Sequence, residues 1–491
     1  MRNKGRRVNQ FIRIGMVFIV LVSVIAGCAS PFPAPAPLNE TPASVQPSST
    51  PQFKASTLTP LPTLKPSPTL TPIPEFQINP AELRTVDIAF WYPWTAEMST
   101  LLKQFIDEFN RLNLWGITVE GIPIGGTSQL FEQMLTAITE KKVPDILLAP
   151  TDQVATWYDM GVIMELDRYI QHPEWGIRQS EVGEYPVMYL QGSQVEGKQV
   201  GLPAFRSQTV LFYNQTWAKE LGFPAPPRTP EEFKLQVCAA GKQNNTSPRV
   251  EYRGTGGWIA DRDPQVILSW LLAFEANPLP ASPRSAYQFN TPAGLTTFRF
   301  FRELLDQGCA WVSRVPSPYD YFSRRQVLIY SGTIQDFPAQ VKAQQRANSQ
   351  DEWVMLPYPA INRPLSLSAT YSYTIPRSTP TRQLAAWLFL RFLSQPDRQT
   401  QLLMSGSTQA VHRIAQENIN IYRQRFPMWS LVIRSDMTTF LTPNTPSWRI
   451  ARRVLEDAAW QVFQTYTKSA DLPGILAALD AQIADLTPKK P

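Results

Sequence analysis

An α/β fold of at least two lobes is predicted by three features of this 491-residue chain. Strand patterns and amphipathic helix patterns alternate from residue 86 onward, which implies a largely parallel sheet covered on both faces. The segment 83–491 is too long for one core, because single cores stop growing at roughly 250–300 residues. Helix starts recur along it with strong capping signals, and no repeat of solenoid or propeller length interrupts them.

Taken in order, Val86-Asp87-Ile88-Ala89-Phe90 reads as the first strand. A helix follows in which Met98, Leu101, Leu102, Phe105, Ile106 and Phe109 recur at three and four residues, one apolar stripe. Next come a strand at Ile117–Ile124, a helix presenting Phe131, Met134, Leu135 and Ile138, and a strand at Asp145–Leu148. Thr229-Pro230-Glu231-Glu232 places Thr at the N-cap, Pro at the first helical position and Glu three residues after the cap. Thr291-Pro292 and Thr379-Pro380 repeat that start. In sheets of this kind a ligand sits beyond the carboxyl ends of the strands.

The N-terminus carries a different kind of information. Arg2, Lys4, Arg6, Arg7 and Arg13 form a basic head, and Ile14–Ala26 a thirteen-residue apolar run. That is the layout of a secretory signal; a membrane span needs about 20 apolar residues. Ile25-Ala26-Gly27-Cys28 resembles the bacterial lipobox, which implies removal of 1–27 and lipidation of Cys28. From Ala29 to Pro80 about a quarter of the residues are proline among Ser, Thr and Ala, the composition of an extended spacer; 28–82 is therefore expected to be a tether. Without its signal the chain has 41 basic against 40 acidic residues, so the formal charge of +6 gives no support for a nucleic-acid partner. Cys238 and Cys309 remain as an even pair suited to an oxidising compartment, either bridged or as two separate buried thiols. They and the two histidines lack metal-ligand spacing, so no metal or cofactor is expected.

The stretch Gly201-Leu202-Pro203-Ala204-Phe205-Arg206-Ser207-Gln208-Thr209-Val210-Leu211-Phe212-Tyr213-Asn214 is similar to the hinge of the maltose-binding-protein-like family of solute-binding proteins. Val143–Pro150, Gly161–Leu166, Pro224–Glu232 and Ala385–Met404 resemble further family segments in the same order. The resemblance implies a type II periplasmic-binding-protein fold, with a ligand cleft between an N-terminal lobe (83–203 and about 353–404) and a C-terminal lobe (204–352 and about 405–491). It implies capture of a carbohydrate by hinge closure and delivery to the permease subunits of an ABC importer, by a monomer held to the membrane through its N-terminal lipid.

Sugars present C–H faces and hydroxyl rims, so their sites pair aromatic platforms with polar side chains. On that basis Trp91, Tyr92 and Trp94, which follow the first strand, are the first candidates. Family position adds Asp152, and by analogy Arg206 and Ser207 at the hinge; Trp258, Tyr371 beside the second crossing and Trp448 before the last long helix are the second-lobe candidates. Where many relatives carry a Trp after a later strand, this chain reads Ser331-Gly332-Thr333-Ile334; either Trp258 or Trp448 supplies the platform, or the ligand is smaller or less planar than a malto-oligosaccharide. The rival classes are a secreted carbohydrate-active enzyme, a sensor-linked binding subunit, and an importer subunit for a non-sugar such as a polyol phosphate. No Gly-x-Ser-x-Gly, phosphate-loop or His-Glu-x-x-His motif supports an enzyme.

Overall fold

A computed structural model describes residues 80–486, apart from 95, 281–285, 316, 406–407, 410, 418–423, 425–426 and 430–436. Cys28, the signal segment and nearly all of the proline-rich stretch lie outside the described residues. Among those described, no helix is long and apolar enough to cross a membrane.

Among the described residues, ten of the twelve strands form one sheet. The parallel strands β1 (Asp87–Tyr92), β2 (Thr118–Pro123) and β3 (Ile146–Pro150) make one end, with β1 in the middle. After the small hairpin β4 (Gln194–Val195) and β5 (Lys198–Gln199) comes β6, Leu202–Asn214, every residue of which is buried. At the other end, β7 (Trp258–Ile259) lies parallel to β8 (Ala310–Trp311) and β9 (Ile329–Thr333). β10 (Trp353–Leu356), β11 (Leu365–Thr374) and β12 (Thr438–Leu441) complete the set.

Two long strands join the ends. β6 pairs with β11 through Leu202–Ser207 and with β9 through Thr209–Tyr213. β10 lies antiparallel to the second half of β6, so the return crossing is made by β11, whose Tyr371–Thr374 pairs with β3. The Phe212-Tyr213-Asn214 triplet closes β6, and the Asn214 carboxamide caps the helix Gln215–Glu220 by accepting from the Trp217 amide at 2.9 Å.

The predicted caps form. The hydroxyls of Thr229 and Thr291 accept from the amides of Glu232 and Gly294 at 3.2 and 3.0 Å. Glu232 reaches back to the Arg228 amide at 2.7 Å, satisfying a second orphan donor of that turn. The first-lobe core packs Phe90, Phe105, Trp387 and Phe389 beneath β1, and the second-lobe core packs Phe233, Trp258, Trp270 and Trp448. Asp145 holds the first lobe together from within. Its buried carboxylate accepts from Arg382 Nε and Nη2 at 2.7 and 2.6 Å and from the Ala89 amide at 2.9 Å.

Cys238 and Cys309 are bridged. The bridge ties the helix Pro230–Asn245 to the residue that precedes β8, where backbones meet closely. A Cβ on Gly257 would lie 1.8 Å from the Cys309 carbonyl oxygen and one on Gly241 2.3 Å from that of Gly308, so side chains are excluded at both.

Candidate functional site

The course of β1 decides which of the predicted aromatics are buried in the first lobe. β1 runs through Tyr92, two residues beyond the predicted strand, so strand alternation puts Ile88, Phe90 and Tyr92 on one buried face. Tyr92 is therefore a core residue, with its hydroxyl 3.2 Å from that of Ser99, and not a platform. Trp91 points to the opposite face and packs on the cluster containing Phe131 and Trp157. Trp94 is half-buried and lies against Phe205 of β6 at 4.7 Å. Phe205 in turn stacks on Tyr371 of β11 at 4.4 Å, so three rings line up across the crossing strands.

Asp152 sits in the first turn of the helix Thr151–Asp159 without serving as its cap. Its Oδ2 is 3.0 Å from Arg452 Nη1 on the helix Pro446–Val462, an ion pair that joins the lobes. On the same helix the Arg449 guanidinium stands 3.2 Å over the Phe131 ring and 3.5 Å from Glu132. Beside the Asp152–Arg452 pair a cavity of about 60 Å³ is lined by Thr127, Tyr371 and Gln265 together with the pair itself.

Arg206 and Ser207 lie inside the crossing strands rather than on the cleft wall. Arg206 donates from Nε to Ser368 Oγ at 2.8 Å and from Nη2 to Gln409 Oε1 at 3.0 Å, with its guanidinium 4.2 Å over the Tyr189 ring. It faces no carboxylate among the described residues, and burial lowers its pKa. Ser207 is buried in register with Ala369. Trp258 and Trp448 are 0% exposed. Trp258 is wedged among Phe233, Trp270 and Phe301 with its indole N–H on Ser331 Oγ at 3.1 Å. Neither can replace the platform missing at Ile334, because core packing consumes both faces.

The larger second-lobe cavity, about 690 Å³, opens beyond β7, β8 and β9. The residues that give it chemical character are Asp261, Asp263, Asp336, Tyr319 and Trp460. Asp336 accepts from the Tyr319 hydroxyl at 2.6 Å and from the Thr333 amide at 2.7 Å. Burial raises the pKa of Asp336. Burial and the neighbouring Asp263 charge push Asp261 up to about 7. Asp263 also caps the helix Pro264–Ala273, accepting from the Gln265 amide at 2.8 Å. Trp460 is 45% exposed. It lies twelve residues from Trp448 on one helix, about 120° round the axis at 3.6 residues per turn, so one indole fills the core while the other lines the cavity. Sequence reasoning missed Trp460, Tyr319, Asp261 and Asp336. That rotation was the one signal able to separate Trp460 from Trp448. Among the described residues no group of three or more His, Cys, Asp or Glu is placed to hold a metal ion.

A sequence model described as bacterial extracellular solute-binding protein matches residues 104–412. The fold is similar to the cyclic α-maltosyl-1,6-maltose binding protein of Arthrobacter globiformis (TM-score 0.65, 17% identity, 82% of this chain and 99% of that one). It is similar to an ABC transporter solute-binding protein of Thermotoga lettingae bound with α-D-tagatose (0.66, 16%, 81% and 100%). UgpB of Mycobacterium tuberculosis in complex with glycerophosphocholine matches as well (0.67, 15%, 81% and 98%). No curated protein matches the chain by sequence.

Proposed function

The chain belongs to the bacterial extracellular solute-binding proteins, and from that premise we propose that it captures a carbohydrate in the cleft and delivers it to the permease of an ABC importer. The observation that carries the reading is the second-lobe cavity, where the exposed Trp460 indole stands with Tyr319 and the carboxylates of Asp261 and Asp336. A ring face and hydroxyl acceptors on one wall are what a pyranose requires. The Trp94–Phe205–Tyr371 column supplies an apolar surface at the crossing strands, and Asp152 an acceptor beside it. Similar folds bind cyclic maltosyl-maltose, tagatose and glycerophosphocholine, so fold alone does not select among these classes. A ligand bound only by the folded chain raises its melting temperature. A panel of mono- and oligosaccharides should therefore contain at least one stabilising member, with the shift reduced in Trp460→Ala and Trp94→Ala. Silence across sugars would reject the carbohydrate reading.

The reading includes a monomer tethered to the outer face of the membrane through lipidated Cys28 and the proline-rich stretch. Cys28→Ser should release the protein from the membrane fraction; retention there would reject the lipid anchor.

A further inference from the structure

An apolar groove of about 700 Å³ lies in the first lobe, between the end of the helix Ala96–Leu112, the segment 177–185 and the end of the helix Pro380–Leu393. Trp115, Ile177 and Phe392 form its half-buried walls. Leu112, Leu114 and Ile414 stand on its rim, 52%, 94% and 37% exposed. Large apolar side chains gathered round a concavity mark a surface that something else covers. At the edge, Arg178 shares the carboxylate of Glu181 with Arg391, at 2.5 and 3.4 Å. The Arg178 side chain keeps 80% of its surface in solvent, so its fork of donors is open to a second carboxylate.

The chain's own N-terminal segment enters the first lobe beside this groove. The short helical turn Pro80–Leu83 leads into β1, and the residues after it lie against the loop that carries Trp115. The Thr85 amide donates to the Gly116 carbonyl at 3.3 Å, and a Cβ on Gly116 would lie 3.7 Å from Arg84 Cα. The turn also meets the third wall, for Thr381 donates to Glu82 at 3.4 Å and Arg391 follows about 15 Å further along that helix. The eight residues before the turn, outside the described residues, are Pro72-Ile73-Pro74-Glu75-Phe76-Gln77-Ile78-Asn79. Extended, they span about 25 Å, which brings the groove within their reach. Phe76 is the only aromatic residue between Phe53 and Phe90, and Glu75 the only charged one between Lys65 and Glu82. Pro72 and Pro74 favour an extended backbone, the form in which proline-rich segments enter aromatic-lined grooves at low entropic cost.

We infer that the segment Pro72–Asn79 docks into this groove within its own chain, with the Phe76 ring against Trp115 and Phe392 and the Glu75 carboxylate on Arg178. The volume suits that occupant, since a space of about 300–1,000 Å³ takes a drug-sized body, the bulk of a few side chains rather than of a folded partner. The last residues of the proline-rich stretch then belong to the first lobe. The inference is independent of what the cleft binds.

A benzophenone-bearing residue in place of the solvent-exposed Leu114, in the full chain, tests the placement. Irradiating an equal mixture of isotopically light and heavy chains should link position 114 to the peptide containing 72–79 of the same chain, as read by mass spectrometry. Links that mix light and heavy chains would assign the groove to a second copy, and the absence of any link to 72–79 would assign it to another occupant; either overturns the inference. Chymotrypsin gives an independent reading, because exposed segments are nicked first. In the parent chain the cut after Phe76 should be at least tenfold slower than the cut after Phe53. Leu114→Glu should speed the cut after Phe76 at least fivefold, and Arg178→Glu about threefold, the worth of one exposed ion pair. Both changes should leave the cut after Phe53 as it was. Equal cutting at the two phenylalanines of the parent chain, or no response at Phe76 to either change, equally overturns the inference.

Discussion

Removing the Cys238–Cys309 bridge should cost the second lobe several kilocalories per mole. The bridge closes a loop of 71 residues that contains β7 and the helices Pro264–Ala273 and Pro292–Asp306. In the chain-entropy account a loop of that length removes about 4 kcal/mol of freedom from the unfolded chain. Little native geometry should relax to offset the loss, because the backbones around the bridge are fixed independently. Trp258 N–H bonds the Cys309 carbonyl at 3.0 Å, and Gly241 and Gly257 admit no side chain there. The double change Cys238→Ala, Cys309→Ala, followed by urea unfolding monitored through tryptophan fluorescence, should lower stability by about 4 kcal/mol, mainly through faster refolding of the parent chain from its unfolded state. A loss below about 1 kcal/mol would refute the reasoning, since it would mean that the unfolded chain is already held compact in this region.

Asp145→Ala should destabilise the first lobe by about 3 kcal/mol in the same assay, because it leaves the Arg382 guanidinium and the Ala89 amide without their shared acceptor. Thr229→Ala should cost about 1 kcal/mol through loss of its cap, with the cavity chemistry untouched. Asp261 has a folded pKa near 7, above its unfolded value of 3.8, so between those values the folded chain holds more protons and its stability falls as pH rises. Asp261→Asn should flatten that fall when unfolding is followed from pH 4 to pH 8; an unchanged slope would count against the buried-carboxylate account.

Local chemistry was legible wherever the side chain's own neighbours in sequence determine the outcome. The strands at 87–92, 118–123 and 146–150 fall within a few residues of their predicted places, and the Thr-Pro starts became capped helices. The errors arose where one residue of phase or one long-range contact decides. β1 ends at Tyr92 rather than Phe90, and that extension sends Tyr92 inward. Trp448 and Trp460 are alike in local composition; their difference is angular, and it becomes visible only once the helix is seen against the second-lobe core. Arg206 was drawn to the cleft by family position, yet its partners Ser368 and Gln409 lie more than 160 residues away in sequence. The cysteine pairing was equally nonlocal, so the sequence left it open.

The Asp152–Arg452 pair links the ligand cleft to ionic strength. Both groups are largely withdrawn from solvent, with 6% and 25% of their side chains exposed, and they hold opposite lobes 3.0 Å apart at the contact. Whatever fraction of molecules rests in that joined arrangement scales the apparent affinity of a ligand that needs it. Salt weakens such an attraction, though less than it would at the surface. An uncharged sugar, which has no charge of its own for ions to screen, would therefore be held less tightly in brine than in dilute medium, and the protein would report the saltiness of its surroundings through a ligand indifferent to it.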